Sequence, residues 1–177
     1  MPFDPSLQRS GARRVAIAAL TRSDCQEFVS AVKASKRLHA SWVHPPMNAA
    51  AFRARVRRMQ PPHNYAFSIR QRVGGALVGY ADVTNVVRGG FLSAYLSYYA
   101  FDGHQRQGLM TEGLKLVVRY AFAKLGLHRL EANIQPRNAA SIALVKACGF
   151  SREGYSPRYL KIGGRWRDHE RWALLAR

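Results

Sequence analysis

The alternation of apolar and polar positions along the chain predicts seven β-strands. Each alternating segment is short and is bounded by glycine, proline or polar turn residues, as strands usually are. The segments are 13–20, 64–72, 76–87, 91–101 and 128–134, with two more within 159–176. The glycine turns VGG and RGG join the second, third and fourth segments, which predicts an antiparallel meander.

Apolar residues at helical spacing predict four helices between these strands. Thr21 or Ser23 caps the first helix, and Asn48 caps a second that runs to about Met59. Asn138 caps the last. The third and longest helix has one apolar face, which consists of Leu109, Leu114, Val117, Val118, Ala121, Phe122 and Leu125. The order of elements predicts a single α/β domain over residues 1–177.

The composition is that of a folded protein without a membrane segment. The 177 residues, 47% of them apolar, suffice for one domain with a hydrophobic core. No apolar run is long enough for a membrane helix, and the start MPFDPSLQRSGARR lacks the apolar centre of a secretory signal. These features predict a cytoplasmic protein. Cys25 and Cys148 stand far apart without ligand spacing, so we expect neither a disulfide framework nor a metal site.

The chain is strongly basic. Its 28 Lys and Arg against 10 Asp and Glu give a net charge of +18, of which +10 falls within residues 1–72. Such a charge favours polyanionic ligands or partners, among them nucleotides, phosphate-bearing coenzymes and ribosomal RNA, without choosing among them. The cluster Arg53, Arg55, Arg57 and Arg58 is equally typical of a solvated helix face.

The segment HQRQGLMTEG, residues 104–113, lies between a predicted strand and the long helix. A strand that passes into a helix through a small-residue turn leaves several backbone N–H groups free at one point, where they can bind an anion. Gly108 would let the anion approach the backbone closely. An isolated turn of this kind is a weak signal, because many glycine-containing turns bind nothing.

Five motifs in the same order carry a resemblance to a known family. The strings NVVRGGF, QRQGLMTEGL, HRLEANIQPRNAAS, CGFSREGY and GGRWRDH resemble the GNAT superfamily of acetyl-CoA-dependent N-acetyltransferases, and within it the RimJ/RimL branch. The match extends from about Arg13 to the C-terminus. It implies a mixed, mostly antiparallel central sheet of six to seven strands with about four flanking helices. It also implies a splay between the parallel strands near 94–101 and 128–135.

The resemblance implies acetyl-CoA as co-substrate and no metal. In the family the glycine turn binds the coenzyme pyrophosphate through backbone N–H groups, and the splayed strand and a capping asparagine hold the pantetheine arm. The corresponding residues here are Tyr98, Tyr99, Ala100, Gln105, Arg106, Gln107, Gly108, Leu109, Met110, Thr111, Asn138 and Ser141. Arg106 and Met110 depart from the family pattern, which has glycine at the first position and a small residue at the second.

Three residues are candidates for the chemistry. In RimL-like relatives a serine at the place of Ser141 is proposed to protonate the departing thiolate. Val145 stands where other N-terminal acetyltransferases have a tyrosine, which favours the serine version. The motifs do not identify the general base. Asn133 stands where RimI-like relatives have a glutamate. Glu131 shares the strand face of Asn133 and is a candidate base that acts through water. A serine in a helix and a glutamate beside Arg129 also have plain structural roles.

Trp42, Tyr155 and Tyr159 are candidates for the acceptor site. The resemblance implies that the acceptor is a protein N-terminus, for example the alanine of ribosomal protein S5, and that the enzyme acts near the ribosome. Two alternatives remain: a small amine such as a polyamine or an antibiotic, or a non-catalytic module that binds RNA. The positive charge opposes cationic small amines, because the encounter would be repulsive. Cys148 is not expected to form an acyl-enzyme, since it lacks a nearby histidine in the sequence.

Overall fold

The computed structural model describes residues 13–177, which form a seven-stranded sheet with helices on both faces. The segment at 1–12, in which the sequence predicts no secretory signal, lies outside the described residues. The strands are β1 Val15–Ala19, β2 Tyr65–Gln71, β3 Leu77–Val87, β4 Ser93–Ala100, β5 Arg129–Ile134, β6 Ser151–Ile162 and β7 Arg165–Leu175. The predicted number and order of strands are confirmed, while the single domain over 1–177 stays a prediction.

Within residues 13–177 five helices connect the strands, where the sequence predicted about four. They are α1 Cys25–Ala34, α2 Lys36–His39, α3 Ala49–Arg58, α4 Leu109–Ala123 and α5 Ala139–Ala147. The additional one is α2, a single turn that is too short for apolar periodicity to reveal. Thr21 caps a 3-10 turn that precedes α1, and it does so through Asp24, whose carboxylate accepts hydrogen bonds from the Thr21 N–H and hydroxyl.

Two asparagines cap their helices as predicted. The Asn48 side-chain oxygen accepts from the Ala51 N–H at 2.9 Å, and that of Asn138 accepts from the Ser141 N–H at 3.1 Å. Each bond satisfies one of the N–H groups that the first helical turn leaves without an acceptor. The second cap also fixes Ser141 at the start of α5.

The strand order is β1-β2-β3-β4-β5-β7-β6, and every neighbouring pair is antiparallel except β4 and β5. The parallel pairing runs only from Ser93 opposite Arg129 to Tyr95 opposite Glu131. Beyond that point β4 and β5 continue without pairing to each other. The predicted splay is therefore present, and it opens a gap in the middle of the sheet.

Two apolar cores cover the two faces of the sheet. On one face α4 and α5 pack against β1–β5, and on the other α1 and α3 pack against β2, β3 and the end of β4. Gly113 of α4 lies so close to β2 that a Cβ there would come within 2.5 Å of the Ile69 side chain. Within residues 13–177 no helix has both the length and the apolar character needed to cross a membrane.

Candidate active site

The gap between β4 and β5 opens into a cleft of about 410 Å³. Because side chains alternate along a strand, the two edges of the gap present groups to both faces of the sheet. Leu96, Tyr98 and Ala132 lie on the face covered by α4 and α5, where they belong to or pack against the first core. Tyr95, Ser97 and Asn133 alternate with them and point to the opposite face. The full lining is Trp42, Val43, Thr84, Asn85, Tyr95, Leu96, Ser97, Tyr98, Ala132, Asn133, Ile134, Gln135, Asn138, Ser141, Tyr159, Leu160, Ile162 and His169.

The glycine turn before α4 has the geometry of an anion site. Gly108 is the N-cap residue with φ +74°, and Arg106 also has a positive φ, +59°. The turn is held by its own side chains: Gln105 donates to Asp102 at 2.6 Å and Gln107 donates to the Gly103 carbonyl at 3.0 Å. The N–H groups at the start of α4 have no carbonyl in a preceding helical turn, so they and the positive end of the helix dipole suit a phosphate.

Arg14 and Glu112 flank the glycine turn. The Arg14 guanidinium forms an ion pair with Glu112 in the first turn of α4, and its Nε donates to Glu112 at 2.7 Å. A Cβ added to Gly108 would lie 3.2 Å from the same guanidinium. A side chain at this position would therefore adopt a left-handed backbone conformation and press on Arg14, which explains the glycine.

Met110, which departs from the family pattern, is buried and packs against β3. A Cβ at Gly79 would lie 2.2 Å from the Met110 sulfur, so the side chain occupies the place that a residue other than glycine would fill. The Met110 side chain therefore points into the core. Methionine in place of a small residue thus does not cover the backbone of the turn. Leu109 is buried in the same core, and Thr111 follows on the first turn of α4.

Ser141 and Tyr98 form a hydroxyl pair at the edge of the gap. The Tyr98 hydroxyl oxygen lies 2.7 Å from the Ser141 Oγ and 3.1 Å from the Ser141 carbonyl oxygen, so its single proton can be donated to either. Burial raises the pKa of Tyr98 well above its usual value, so the phenol keeps its proton. When Tyr98 donates to Oγ, the Ser141 proton is free to point into the cleft. Asn138 supports the pair by holding the Ser141 N–H.

Asn133 and Glu131 lie on the same face of β5 but in different surroundings. Asn133 lines the cleft, and its buried Oδ1 has no hydrogen-bond partner within residues 13–177. Glu131 accepts from Arg129 at 2.7 Å, and Arg129 also forms an ion pair with Glu153. The structure thus brings Asn133 into the cleft, while the Glu131 carboxylate is held outside it in an ion pair. The catalytic role of each stays a prediction.

Trp42 and Tyr159, two predicted acceptor-site residues, line the cleft, and Tyr155 does not. Gln135, just after β5, donates to the Ser41 carbonyl at 3.2 Å and so holds the segment that carries Trp42. Tyr155 is exposed and donates to Asp168 at 2.5 Å.

Asp168 also accepts from the Arg158 N–H at 2.7 Å, where Arg158 has φ +49° in a bulge of β6. Bulges redirect the side chains beside them. Tyr155 and Asp168 therefore fix the bulge that presents Tyr159 to the cleft.

Tyr99 and Ala100, two further predicted cofactor-binding residues, do not bring side chains into the cleft. The Tyr99 ring stacks on Tyr80 at 4.9 Å between centroids, in the core on the other face. The Ala100 carbonyl oxygen lies 2.7 Å from His39 Nε2. Any contact of these two residues with a ligand would involve the backbone of β4.

Cys148 lies outside the cleft lining and is half-buried. Burial raises the pKa of its thiol to about 11, so little thiolate exists at neutral pH. The expectation that the cysteine forms no acyl-enzyme stays a prediction. Within residues 13–177 no group of three or more His, Cys, Asp or Glu is placed to hold a metal ion.

Several residues of the lining were not predicted from the sequence, His169 above all. His169 is the last residue of the motif GGRWRDH, and strand alternation from the buried Trp172 would have placed it on the face opposite that tryptophan. The same alternation along β4 would have predicted that Tyr95 and Ser97 share one face of the strand. Val43, Thr84 and Asn85 carried no signal, because only the folded chain brings the segment after α2 and the end of β3 to the gap.

Two parallel strands separate beside a glycine turn, with a hydroxyl pair at the opening, as the resemblance to the GNAT superfamily implies. Comparison with known families agrees: the profile of the Acetyltransferase (GNAT) domain matches residues 14–151. The chain belongs to this family, and the resemblance inferred from the motifs is confirmed. The members of this family use acetyl-CoA, which suits the glycine turn described above.

Curated relatives include two bacterial N-acetyltransferases. The chain is 36% identical over 118 residues to a probable N-acetyltransferase, YjcK, of Bacillus subtilis, covering 67% of this chain and 65% of that protein. It is 43% identical over 98 residues to the [ribosomal protein uS5]-alanine N-acetyltransferase of Escherichia coli, covering 55% of this chain and 50% of that protein. The matched part thus spans between half and two thirds of the length of these relatives.

Solved structures share the fold over nearly the whole chain. Mycobacterium smegmatis RimJ in complex with CoA-disulfide has a TM-score of 0.84 at 25% identity, covering 92% of this chain and 82% of that one. The spermidine N-acetyltransferase of Vibrio cholerae, in complex with CoA and spermine, has a TM-score of 0.77 at 20% identity, covering 92% and 95%. The second likeness is one of fold alone.

Proposed function

We propose that the chain transfers the acetyl group of acetyl-CoA to the α-amino group of a protein N-terminus. The observation that carries the proposal is the gap between β4 and β5, which connects the Tyr98–Ser141 pair on one face with an amide- and tyrosine-lined cleft on the other. A coenzyme and an acceptor that approach from opposite faces meet in a ternary complex, so the amine attacks the thioester directly.

Ser141 is the proposed proton donor to the departing sulfur. Its Oγ gives up a proton as the bond between carbon and sulfur breaks, and Tyr98, 2.7 Å away, is placed to stabilise that oxygen with a hydrogen bond. The N–H groups around Gly108 would hold the pyrophosphate and so fix the thioester relative to this pair. Each of these roles uses a group whose surroundings in the fold are described above.

The finer acceptor within this proposal is an N-terminal alanine of the ribosomal protein S5 type. It is supported by the 43% identity to an enzyme named for that substrate. The strong positive charge of the chain suits a partner in the anionic surroundings of a ribosome.

Polyamine acetylation is the second candidate, and the charges of the chain oppose it. The cleft lining within residues 13–177 contains no Asp or Glu. At least seven of the nine carboxylates in that range form ion pairs with arginine. A polycationic amine would therefore enter a cleft without a counter-charge, in a protein with a net charge of +18. A single α-amino group requires far less compensation.

The test is acetyl transfer to a panel of acceptors. Peptides that begin with Ala, Ser or Met, an N-terminally blocked Ala peptide that contains lysine, and spermidine are each incubated with acetyl-CoA while thiol release is followed. We expect release with free N-termini, Ala-start peptides foremost, and none with the blocked peptide. Activity on spermidine alone would refute the proposal.

The variant Gly108→Ala links any activity to the glycine turn. A Cβ at φ +74° costs about 1–2 kcal/mol and approaches Arg14, so we expect CoA to bind roughly tenfold more weakly. Gly126→Ala is the matched control, since Gly126 has φ +63° with no atom within 4 Å of the added Cβ. A non-catalytic RNA-binding module would instead retain salt-sensitive RNA binding in both variants and release no thiol.

A further inference from the structure

His169 of β7 is a titratable side chain in the cleft with no role in the reaction as proposed so far. It is only 3% exposed, yet it lines the cleft. The other titratable groups in the lining within residues 13–177 are three tyrosines, Tyr95, Tyr98 and Tyr159. Histidine is the side chain whose usual pKa suits proton transfer near neutral pH.

The position of His169 places it on the acceptor side of the sheet. Trp172 packs into the core beneath α4 and α5, so His169, three residues earlier on the strand, points to the opposite face. Asn133 of β5 is opposite Arg171 in the register, on the same face as His169. The β5–β7 pairing ends at Ile134 opposite Glu170, so His169 lies just beyond it, at the wide end of the gap.

A backbone carbonyl fixes which ring nitrogen of His169 carries the proton. Nδ1 lies 2.9 Å from the Arg167 carbonyl oxygen, which can only accept, so Nδ1 is the donor. In the neutral ring Nε2 is then an acceptor. Burial lowers the pKa of His169, against the opposing effects of the Arg167 carbonyl and Asp168, which favours this neutral form.

We propose that His169 is the general base that removes a proton from the acceptor's α-ammonium group through Nε2. The inference rests on the proposed function and adds the residue that the proposed chemistry lacks. Asn133 Oδ1, buried and without a partner within residues 13–177, is placed to accept a second hydrogen bond from the same amine. Glu131, the carboxylate predicted for this task from the sequence, is occupied by Arg129 and lies outside the lining.

Every proton that moves in the proposed reaction has a donor and an acceptor. Nε2 of His169 takes one proton from the ammonium group, and the amine lone pair then forms the bond from nitrogen to the thioester carbonyl carbon. The bond from that carbon to sulfur breaks, its electron pair stays on sulfur, and Ser141 Oγ supplies the sulfur with a proton. The second proton lost by the amine replaces the one that Ser141 gave, and His169 releases its proton to water. The base and the acid thus act from opposite faces of the gap.

The experiment compares His169→Asn and His169→Ala with the wild type, at saturating acetyl-CoA and with a peptide that the wild type acetylates. Asn keeps an amide near Nδ1 that can donate to the Arg167 carbonyl but lacks the Nε2 acceptor. We expect kcat to fall about 10²-fold or more in both variants, with the dissociation constant of CoA unchanged. Added imidazole should restore part of kcat in His169→Ala, which a merely structural histidine would not allow.

His128→Asn is the control, because His128 is exposed and lies outside the cleft lining. Unchanged kcat in His169→Asn would overturn the assignment. So would a folded His169→Ala variant that binds CoA and gains nothing from imidazole. A wild type without activity on any peptide would refute the proposed function instead, so the two failures are distinguishable.

Discussion

At the scale of single residues, the proposed chemistry depends on hydroxyl and amide groups held by short contacts at one gap. Ser141 is fixed twice, by Asn138 at its N–H and by Tyr98 at its Oγ. The first bond fixes the backbone at Ser141, and the second restricts the rotamer of its side chain. The serine is therefore oriented before any ligand arrives, which reduces the cost of bringing it to the departing sulfur.

Removing these hydroxyls should lower the rate by a larger factor than it weakens coenzyme binding. We expect Ser141→Ala to reduce kcat about 10²-fold, because the departing sulfur loses its proton donor. Tyr98→Phe should cost about fivefold to tenfold, the value of one ordinary hydrogen bond. Steady-state kinetics with the dissociation constant of CoA checks both variants. Ser30→Ala, on the exposed side of α1, is the control, and equal loss in that variant would contradict the assignment.

Several site residues could be predicted from the sequence because their positions follow from local rules. Gly108 and Asn138 stand at helix starts, where turn geometry and capping demand them. Trp42 and Tyr159 were found only as candidates, since their contact with the gap depends on Gln135 and on the bulge at Arg158. His169 was missed, because nothing local in the sequence indicates that β7 lies next to β5 rather than next to β4.

At the scale of elements, the two asparagine caps have different consequences. Asn48 begins α3, which packs on the core away from the gap, whereas Asn138 begins α5 and lines the cleft. Both make the same bond from a side-chain oxygen to a backbone N–H three residues on. Loss of either cap should therefore lower the free energy of unfolding by a similar amount. Only loss of the Asn138 cap should affect catalysis.

We expect Asn48→Ala and Asn138→Ala each to lower the free energy of unfolding by about 1 kcal/mol, or Tm by about 2–4 °C. Asn138→Ala should in addition lower kcat, because Ser141 loses the bond that fixes its backbone. Thermal unfolding and peptide acetylation measured on both variants give the comparison. Equal catalytic loss in Asn48→Ala would show that the effect of the second variant is one of stability alone.

The order of strands and long helices was predictable, because apolar periodicity and glycine turns mark each of them. The ends of the elements were less predictable than their order. The alternating pattern placed Phe91 and Leu92 at the start of β4, but Leu92 has φ +42° and belongs to the turn before Ser93. The short helix α2 also escaped prediction. Its place is set by tertiary contacts of His39 with Tyr99 and Phe101 rather than by its own sequence.

At the scale of the whole molecule, His39 links the second core to the end of β4. Its ring is 4% exposed, and Nε2 lies 2.7 Å from the Ala100 carbonyl oxygen. Burial lowers the pKa of His39 below its usual value of about 6.5, although the carbonyl acts in the opposite direction. The folded protein therefore resists protonation of this ring more strongly than the unfolded chain does.

This difference predicts that acid destabilises the fold. Below about pH 6.5 the unfolded chain binds a proton that the folded chain excludes, so the free energy of unfolding falls as the pH falls toward the lowered pKa. His39→Gln, whose amide can still donate to the Ala100 carbonyl, should lose stability less steeply with acid. Urea unfolding between pH 7.5 and 5.5 measures this slope. His128→Asn should keep the slope of the wild type, and an equal slope in His39→Gln would contradict the prediction.

The early end of pairing between β4 and β5 has a consequence for inhibitors. A compound that joins the sulfur of coenzyme A to a peptide N-terminus through a short spacer would carry a bulky group on each side of the sheet. Only its narrow middle would occupy the opening between the strands. Because β4 and β5 diverge beyond Tyr95, such a compound would leave sideways through the wide end of the gap, and its residence time would depend on the fit of the spacer there as well as on the contacts of its two ends.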